Sequence, residues 1–255
     1  MNHMNGYTAS LWLLLSFFLL SGASFFVGSA AEPDRFAEAS KAAPSIQPLR
    51  CGSPHGGQVA LTFDDGPASP YTRAILALLQ QHKVRATFFV LGRQGKHNPR
   101  LLQAIAEQGH LLANHSWDHP RRASLAEWRS QIQRTEDVFR RSGVQPSHYF
   151  RPPHGIVSRE VQEACAELGY TIVLYTVLSS DWQRPGAQAL VEQVSTRLRP
   201  GGIVVLHDGG GNRSQTVAAL PEIIRRLRQK GLEPVRLDQL LGPHPQAQPC
   251  APAQR

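Results

Sequence analysis

Apolar and polar residues along this chain follow two periods that take turns. Val59, Leu61 and Phe63 alternate with Ala60 and Thr62 and run into Asp64-Asp65-Gly66-Pro67. This predicts a strand over 59–65 that ends in two adjacent carboxylates and a turn. Ile75, Leu78, Leu79 and His82 share one helical face, which predicts a helix over 71–81. The apolar run 86–91 reads as a buried strand, and Leu101, Leu102, Ile105 and Ala106 as a helix closed by Gly109. A strand over 110–114 follows, then a long amphipathic helix capped by Ser124, carrying Leu125, Trp128, Ile132, Val138 and Phe139, and ended by Gly143. The same alternation continues with a strand at 148–150 and a helix from Ser158 to Gly169, then a strand at 170–178 and a helix at 187–198. A strand at 203–206, a helix at 216–230, a strand at 234–237 and a turn of helix to 241 complete it.

Seven or so strand–helix alternations predict an α/β fold with a parallel sheet and helices outside it. In such folds chemistry gathers at the C-terminal ends of the strands. Here those ends carry Asp64 and Asp65, His115 and His119, Arg151, Asp181 and Trp182, and His207 with Asp208. Their convergence on one barrel end weighs more than any one of them alone.

Two neighbouring carboxylates repel, so a metal ion, an arginine or both should sit beside Asp64 and Asp65. The plain alternative is a surface Asp-Asp-Gly turn. His115 and His119 have i, i+4 spacing, but Trp117 and Pro120 place them on a loop, and no His-Glu-x-x-His pattern is present. A lone His-x-x-x-His is more often incidental than functional; the shared strand-end location favours a ligand pair. With one carboxylate they make a two-His, one-Asp set that leaves coordination open, the catalytic arrangement for zinc. The second carboxylate is then free to act as a base held by Arg151. His207 is the candidate acid, its ring oriented and kept protonated by Asp181. His82, His97, His110 and His148 lie on helices or at strand starts and are assigned no chemistry.

Composition sharpens the setting. The chain has 255 residues, 41% of them hydrophobic, enough for a sizeable core, and Lys+Arg 27 against Asp+Glu 19 gives a net charge of +8. That charge suits an anionic wall polymer or membrane surface; with no basic run interleaved with aromatics, no nucleic-acid partner is expected. The apolar stretch from Ala9 to Val27 and the small residues after it read as a secretory signal ending near residue 31, or as an N-terminal membrane anchor of similar length. Either places the domain outside the cytoplasm: periplasmic, extracellular or anchored and facing outward. No Cys near the end of that run allows a lipid-modified anchor there. Residues 32–55, rich in Ala, Pro and Ser, read as a linker, 56–242 as the catalytic domain and 243–255 as a disordered tail. Cys165 falls on an apolar helix face. Cys51 and Cys250 flank the domain and, in an oxidising compartment, either join its ends or stay as two free thiols.

Taken together, Thr62 to Pro67, His115 to His119, Arg151 to Gly155, Asp181-Trp182 and Leu206-His207 resemble, in order, the five motifs of the polysaccharide deacetylases that share the NodB homology domain, carbohydrate esterase family four. The segment 181–187 is also similar to the rhizobial chitooligosaccharide deacetylases. The resemblance implies a distorted (β/α)7 barrel, acting as a monomer on an acetylated polysaccharide of N-acetylglucosamine, peptidoglycan or chitin-like. It implies one divalent metal ion, zinc first and cobalt or another ion as alternatives, on Asp65, His115 and His119. Asp64 would be the base tethered by Arg151, and His207 the acid tuned by Asp181. His154 would supply a backbone N–H to the oxyanion, and Trp182 and Leu206 would line the acetyl pocket. An acetylxylan-type O-deacetylase and a non-catalytic wall-binding module are the competing expectations.

Overall fold

A computed structural model describes residues 46–250, His244 and Gln248 excepted. The segment expected to be a signal or anchor, and residues 32–45 of the expected linker, lie outside the described residues. Among the described residues no helix is long and apolar enough to cross a membrane.

The elements are β1 Gln58–Asp64, α1 Tyr71–Gln81, β2 Thr87–Val90, α2 Gly92–His97, α3 Pro99–Glu107, β3 Leu111–Asn114, α4 Leu125–Arg141 and β4 Tyr149–Phe150. They continue with α5 Arg159–Leu168, β5 Thr171–Ile172, β6 Val177–Leu178, α6 Ala187–Arg197, β7 Ile203–His207, α7 Ser214–Gln229, β8 Glu233–Val235 and α8 Leu237–Leu241. The strand order is β5-β4-β3-β2-β1-β7-β6, with β8 beside the first half of β1, and all these pairs are parallel. This is a distorted (β/α)7 barrel. The helices form where the sequence signals them: Ser124 and Glu127 make a capping box on α4, and α5 starts at the Ser158 cap and stops at Gly169 with φ 70°.

The expected single strand over 170–178 is split. Its first part, β5, pairs with β4, and its second, β6, pairs with β7. The chain between them crosses from one edge of the curled sheet to the other. The opening is laced by the end of the expected linker: Leu49 N–H donates to Ile172 O at 2.8 Å, Leu174 N–H to Leu49 O at 2.7 Å, and Gly52 N–H to Gly201 O at 2.8 Å. Leu49 and Cys51 are buried, so residues 49–52 belong to the barrel rather than to a linker. The expected disordered tail is likewise held, because Cys250 is disulfide-bonded to Cys51. Helix α2, which carries only Gly, Arg, Gln, Lys and His and so shows no apolar period, was not expected.

Strand alternation sorts the core into two layers. Val59, Leu61 and Phe63 of β1, with Val204 and Leu206 of β7, face outward into the layer under the helices, among Leu79, Ile105, Leu220 and Ile223. Ala60, Phe89, Ala113 and Ile203 face inward and meet Leu49, Leu237 and Leu240, which plug the base of the barrel. Cys165 packs with Trp128, Phe150 and Ile172 under α4 and α5, where burial pushes its thiol up to about 12. The inward positions at the upper end of the sheet are left for polar groups.

Candidate active site

Asp64 ends β1 and faces inward by the same alternation that places Thr62 there. A continued strand would send Asp65 outward. Instead Asp65 adopts φ 72°, the left-handed region, which turns its carboxylate back into the cavity that holds Asp64. The loop after β3 is shaped in the same way, with Ser116 at φ 72° and His119 at φ 67°. Gln131 of α4 ties that loop down, its Oε1 accepting from Trp117 N at 2.8 Å and Asp118 N at 3.1 Å. These turns bring His115 and His119 to the two aspartates.

Asp65 Oδ1 lies 3.5 Å from His115 Nε2 and 3.6 Å from His119 Nε2. One ligand atom from each of the three residues falls within 4.8 Å of the others. His115 Nδ1 is 2.7 Å from the Arg151 carbonyl oxygen and donates to it, which leaves the Nε2 lone pair turned to the cavity. Burial pushes the His115 imidazole down to about 3 against the charge of Asp65, so it is neutral and ligand-competent. Asp65 Oδ1 is buried and has no hydrogen-bond partner among the described residues. Two imidazole nitrogens and one orphaned carboxylate oxygen fit a divalent ion of zinc's ligand preference.

Two ion pairs flank this group. Arg151, 1% exposed, donates from Nη1 to Asp64 Oδ1 at 2.7 Å and to Thr62 Oγ1 at 2.7 Å, and its guanidinium carbon stacks 3.9 Å from the centre of the Phe89 ring. On the neighbouring strand His207 is the register partner of Asp64. Its Nδ1 donates to Asp181 Oδ1 at 2.6 Å, and its backbone N–H to Asp181 Oδ2 at 2.8 Å. Thr216 Oγ1 adds a third bond to Asp181, at 2.7 Å. Burial alone would lower the His207 pKa, but the Asp181 bond and charge, with Asp64 and Asp65 nearby, carry it above the ordinary value. Burial would raise the Asp181 pKa, but those bonds hold it below the carboxylate range.

A cavity of about 480 Å³ is lined by Asp64, Asp65, His115, His119, Arg151, His154, Trp182 and His207 together. Asp181 sits behind His207, 1% exposed. His154, at φ 58°, brings its ring within 4.4 Å of that of His119, and burial, with the charges of His119 and Arg121, lowers its pKa. Trp182 is 41% exposed and meets His207 edge-on at 5.4 Å. Leu206 is a correction: its side chain lies in the outer layer under the helices, because the residue before His207 must point away from it. Val205, two residues before His207, lines the cavity instead. The period of two was sufficient to find it.

Thr216, Tyr175 and Arg213 had no sequence signal, and Thr62 was legible only as part of the first motif. Thr62 and Thr216 act through Arg151 and Asp181. Tyr175 lines the cavity from the split strand, and Arg213 from the turn before α7. Asp208 is buried and pushed up to about 7 by desolvation, with the Asp65 and Asp64 charges adding to it and a bond from Thr72 Oγ1 at 2.6 Å opposing it.

A cleft with a trio that could hold a metal ion, an anchored carboxylate and a raised-pKa histidine is equipped for hydrolytic acyl transfer. The known proteins that resemble the chain carry the same theme. The chain is 37% identical over 187 residues to a peptidoglycan-N-acetylglucosamine deacetylase of Bacillus cereus, covering 72% of this chain and 87% of that protein. It is 37% identical over 186 residues to a chitooligosaccharide deacetylase of Sinorhizobium fredii, covering 68% of this chain and 86% of that protein. The crystal structure of a peptidoglycan N-acetylglucosamine deacetylase superposes with a TM-score of 0.73 at 33% identity, over 75% of this chain and 91% of that one. The sequence profile of the family described as polysaccharide deacetylase matches residues 52–173. With the barrel, the strand-end cluster and these relatives in agreement, the chain belongs to the polysaccharide deacetylase family.

Proposed function

We propose that the protein is an exported, metal-dependent hydrolase that removes N-acetyl groups from polysaccharides containing N-acetylglucosamine, as the names of its relatives indicate for them. The observation that carries the reading is the register of Asp64 with His207 on adjacent strands, both lining the cavity that also holds the Asp65–His115–His119 group.

Asp65, His115 and His119 would hold the divalent ion, zinc by their chemistry. Bound there, it supplies a Lewis acid for the charge that builds on the acetyl oxygen. The other roles belong to the chain itself. Arg151 occupies Asp64 Oδ1 and leaves Oδ2 to accept the proton of the attacking water. The backbone N–H of His154, on the cavity wall, is the candidate second donor to the oxyanion. His207, fixed through Nδ1, presents Nε2–H to the departing amine nitrogen. Bond cleavage then yields acetate and a free amine. Each proton-transfer group contributes roughly two to four orders of magnitude in rate. Trp182 offers an apolar face at the mouth for a sugar ring.

The test is acetate release by the purified protein from acetylated polymers, N-acetylglucosamine chains and O-acetylated xylan side by side, before and after chelation and with zinc restored. Zinc-restored release from the N-acetylated polymers is expected. Release from xylan alone would assign the O-deacetylase reading, and binding without release the non-catalytic one.

A further inference from the structure

Asp65 holds its carboxylate in the cavity by a left-handed backbone, φ 72°, that a residue with a side chain adopts only at an energetic cost. Something must hold it there. The loop after β7 lies directly against it. A Cβ on Gly209 would overlap the Asp65 carbonyl group, and one on Gly210 would stand 2.7 Å from Asp65 Oδ2, so both contacts exist only because these residues lack side chains. The start of the same loop is pinned by Asp208, whose N–H donates to Asp64 O at 3.1 Å and whose carboxylate fills the space that a side chain on Gly66 would need.

The far end of the loop is held by a side chain that the reaction does not use. Arg213, 4% exposed, folds back and donates from Nε to Gly209 O at 2.6 Å and from Nη2 to Gly210 O at 2.9 Å. Burying a guanidinium is costly unless it is compensated. Two carbonyls satisfy part of it, and no carboxylate lies within ion-pair distance of it among the described residues. Its nearest compensation lies across Gly210. The Cβ position of that glycine is 2.7 Å from Asp65 Oδ2 and 3.3 Å from Arg213 Nη2, which puts the two charged atoms within about 6 Å of each other.

We propose that Arg213 is a positioning residue for the ligand carboxylate Asp65: it clamps the Gly209–Gly210 loop against Asp65 and holds that carboxylate in the orientation the metal requires. The inference rests on the metal reading above. Its function is to set metal affinity, and its reach to substrate is secondary. Side chains that orient a metal ligand from behind typically contribute about tenfold to a hundredfold in affinity.

The test is zinc affinity of the full chain, measured by competition with a chromophoric chelator, alongside the melting temperature of the metal-free protein. Arg213→Ala and Arg213→Gln should raise the zinc dissociation constant about tenfold or more, while near-ultraviolet circular dichroism shows both still folded at the assay temperature. Arg213→Lys, which keeps a charge and a donor, should recover part of that loss. Gly210→Ala, which drives a methyl between Asp65 Oδ2 and Arg213 Nη2, should weaken zinc as well by disturbing both sides of the clamp. If Arg213→Ala fails to fold, the Arg213→Lys and Gly210→Ala measurements carry the same decision. Zinc affinity within twofold of the parent protein in the folded variants overturns the clamp and leaves the metal reading standing. A parent protein that takes up no zinc overturns both.

Discussion

Asp64 and His207 are register partners on neighbouring strands of one sheet, yet they are held by opposite means. Asp64 is anchored by a buried cation, Arg151, which itself leans on Thr62, Leu174 O and the Phe89 ring. His207 is anchored by a buried anion, Asp181, which is tied to Thr216 of α7. The first arrangement favours a carboxylate ready to accept a proton, and the second an imidazolium ready to give one. A base and an acid a strand apart would otherwise pair with each other. The comparison teaches that two neighbouring strand ends can hold opposite counter-ions, Arg151 for Asp64 and Asp181 for His207, and in the proposed reaction these two set the division of labour.

The comparison is first bounded by the trio proposed to hold the metal, which would serve both sides. Asp65→Asn should abolish zinc uptake and nearly all activity, as metal analysis and acetate release would report. The next effect falls on one side alone. Asp64→Asn should keep zinc and slow turnover by roughly two to four orders of magnitude, because an amide cannot accept the proton. The same change strips Arg151 of its counter-charge, so stability should fall by up to about 3–5 kcal/mol in denaturant titration. If Asp64→Asn lost zinc while Asp65→Asn kept it, the two roles would have to be exchanged.

A milder break lies on the acid side. Asp181→Asn removes the charge that keeps the His207 pKa raised. His207 must be protonated to act, so activity is lost as the pH rises through its pKa. Lowering that pKa moves the alkaline limb of the pH–rate profile to lower pH, with a rate loss of roughly tenfold to a hundredfold, part of the acid's contribution. An unmoved alkaline limb would remove Asp181 from the acid's tuning. The smallest effect should come from Thr216→Val. Asp181 retains both bonds to His207, so turnover should fall by no more than about tenfold in an acetate-release assay.

The order of strands and helices was legible because burial imposes a period of two on strands and near 3.6 on helices, and both appear in the residues themselves. The pairing of work across strand ends was also legible: in a parallel barrel all C-terminal ends face one way, so Asp64, Asp65, His115, His119, Arg151 and His207 had to meet if the alternation was real. Family motifs added the roles. The same period of two, applied to β7, would have replaced Leu206 by Val205.

Other features were decided only by the folded chain. The split of 171–178 between β4 and β7 arises because one stretch must reach two neighbours to close the ring, and no local pattern records a distant partner. Leu49 and Cys51 look like linker until the opening they lace is present. The turn of Asp65 into the cavity uses a left-handed backbone, against which the loop of Gly209 and Gly210 packs from far along the chain. Thr216 and Arg213 carry no motif, since the first acts by touching a group far away in sequence and the second by folding back on the loop before it. Local order follows from periodic burial, which a sequence displays. Orientation at the site follows from long-range contacts, which exist only once the barrel has closed.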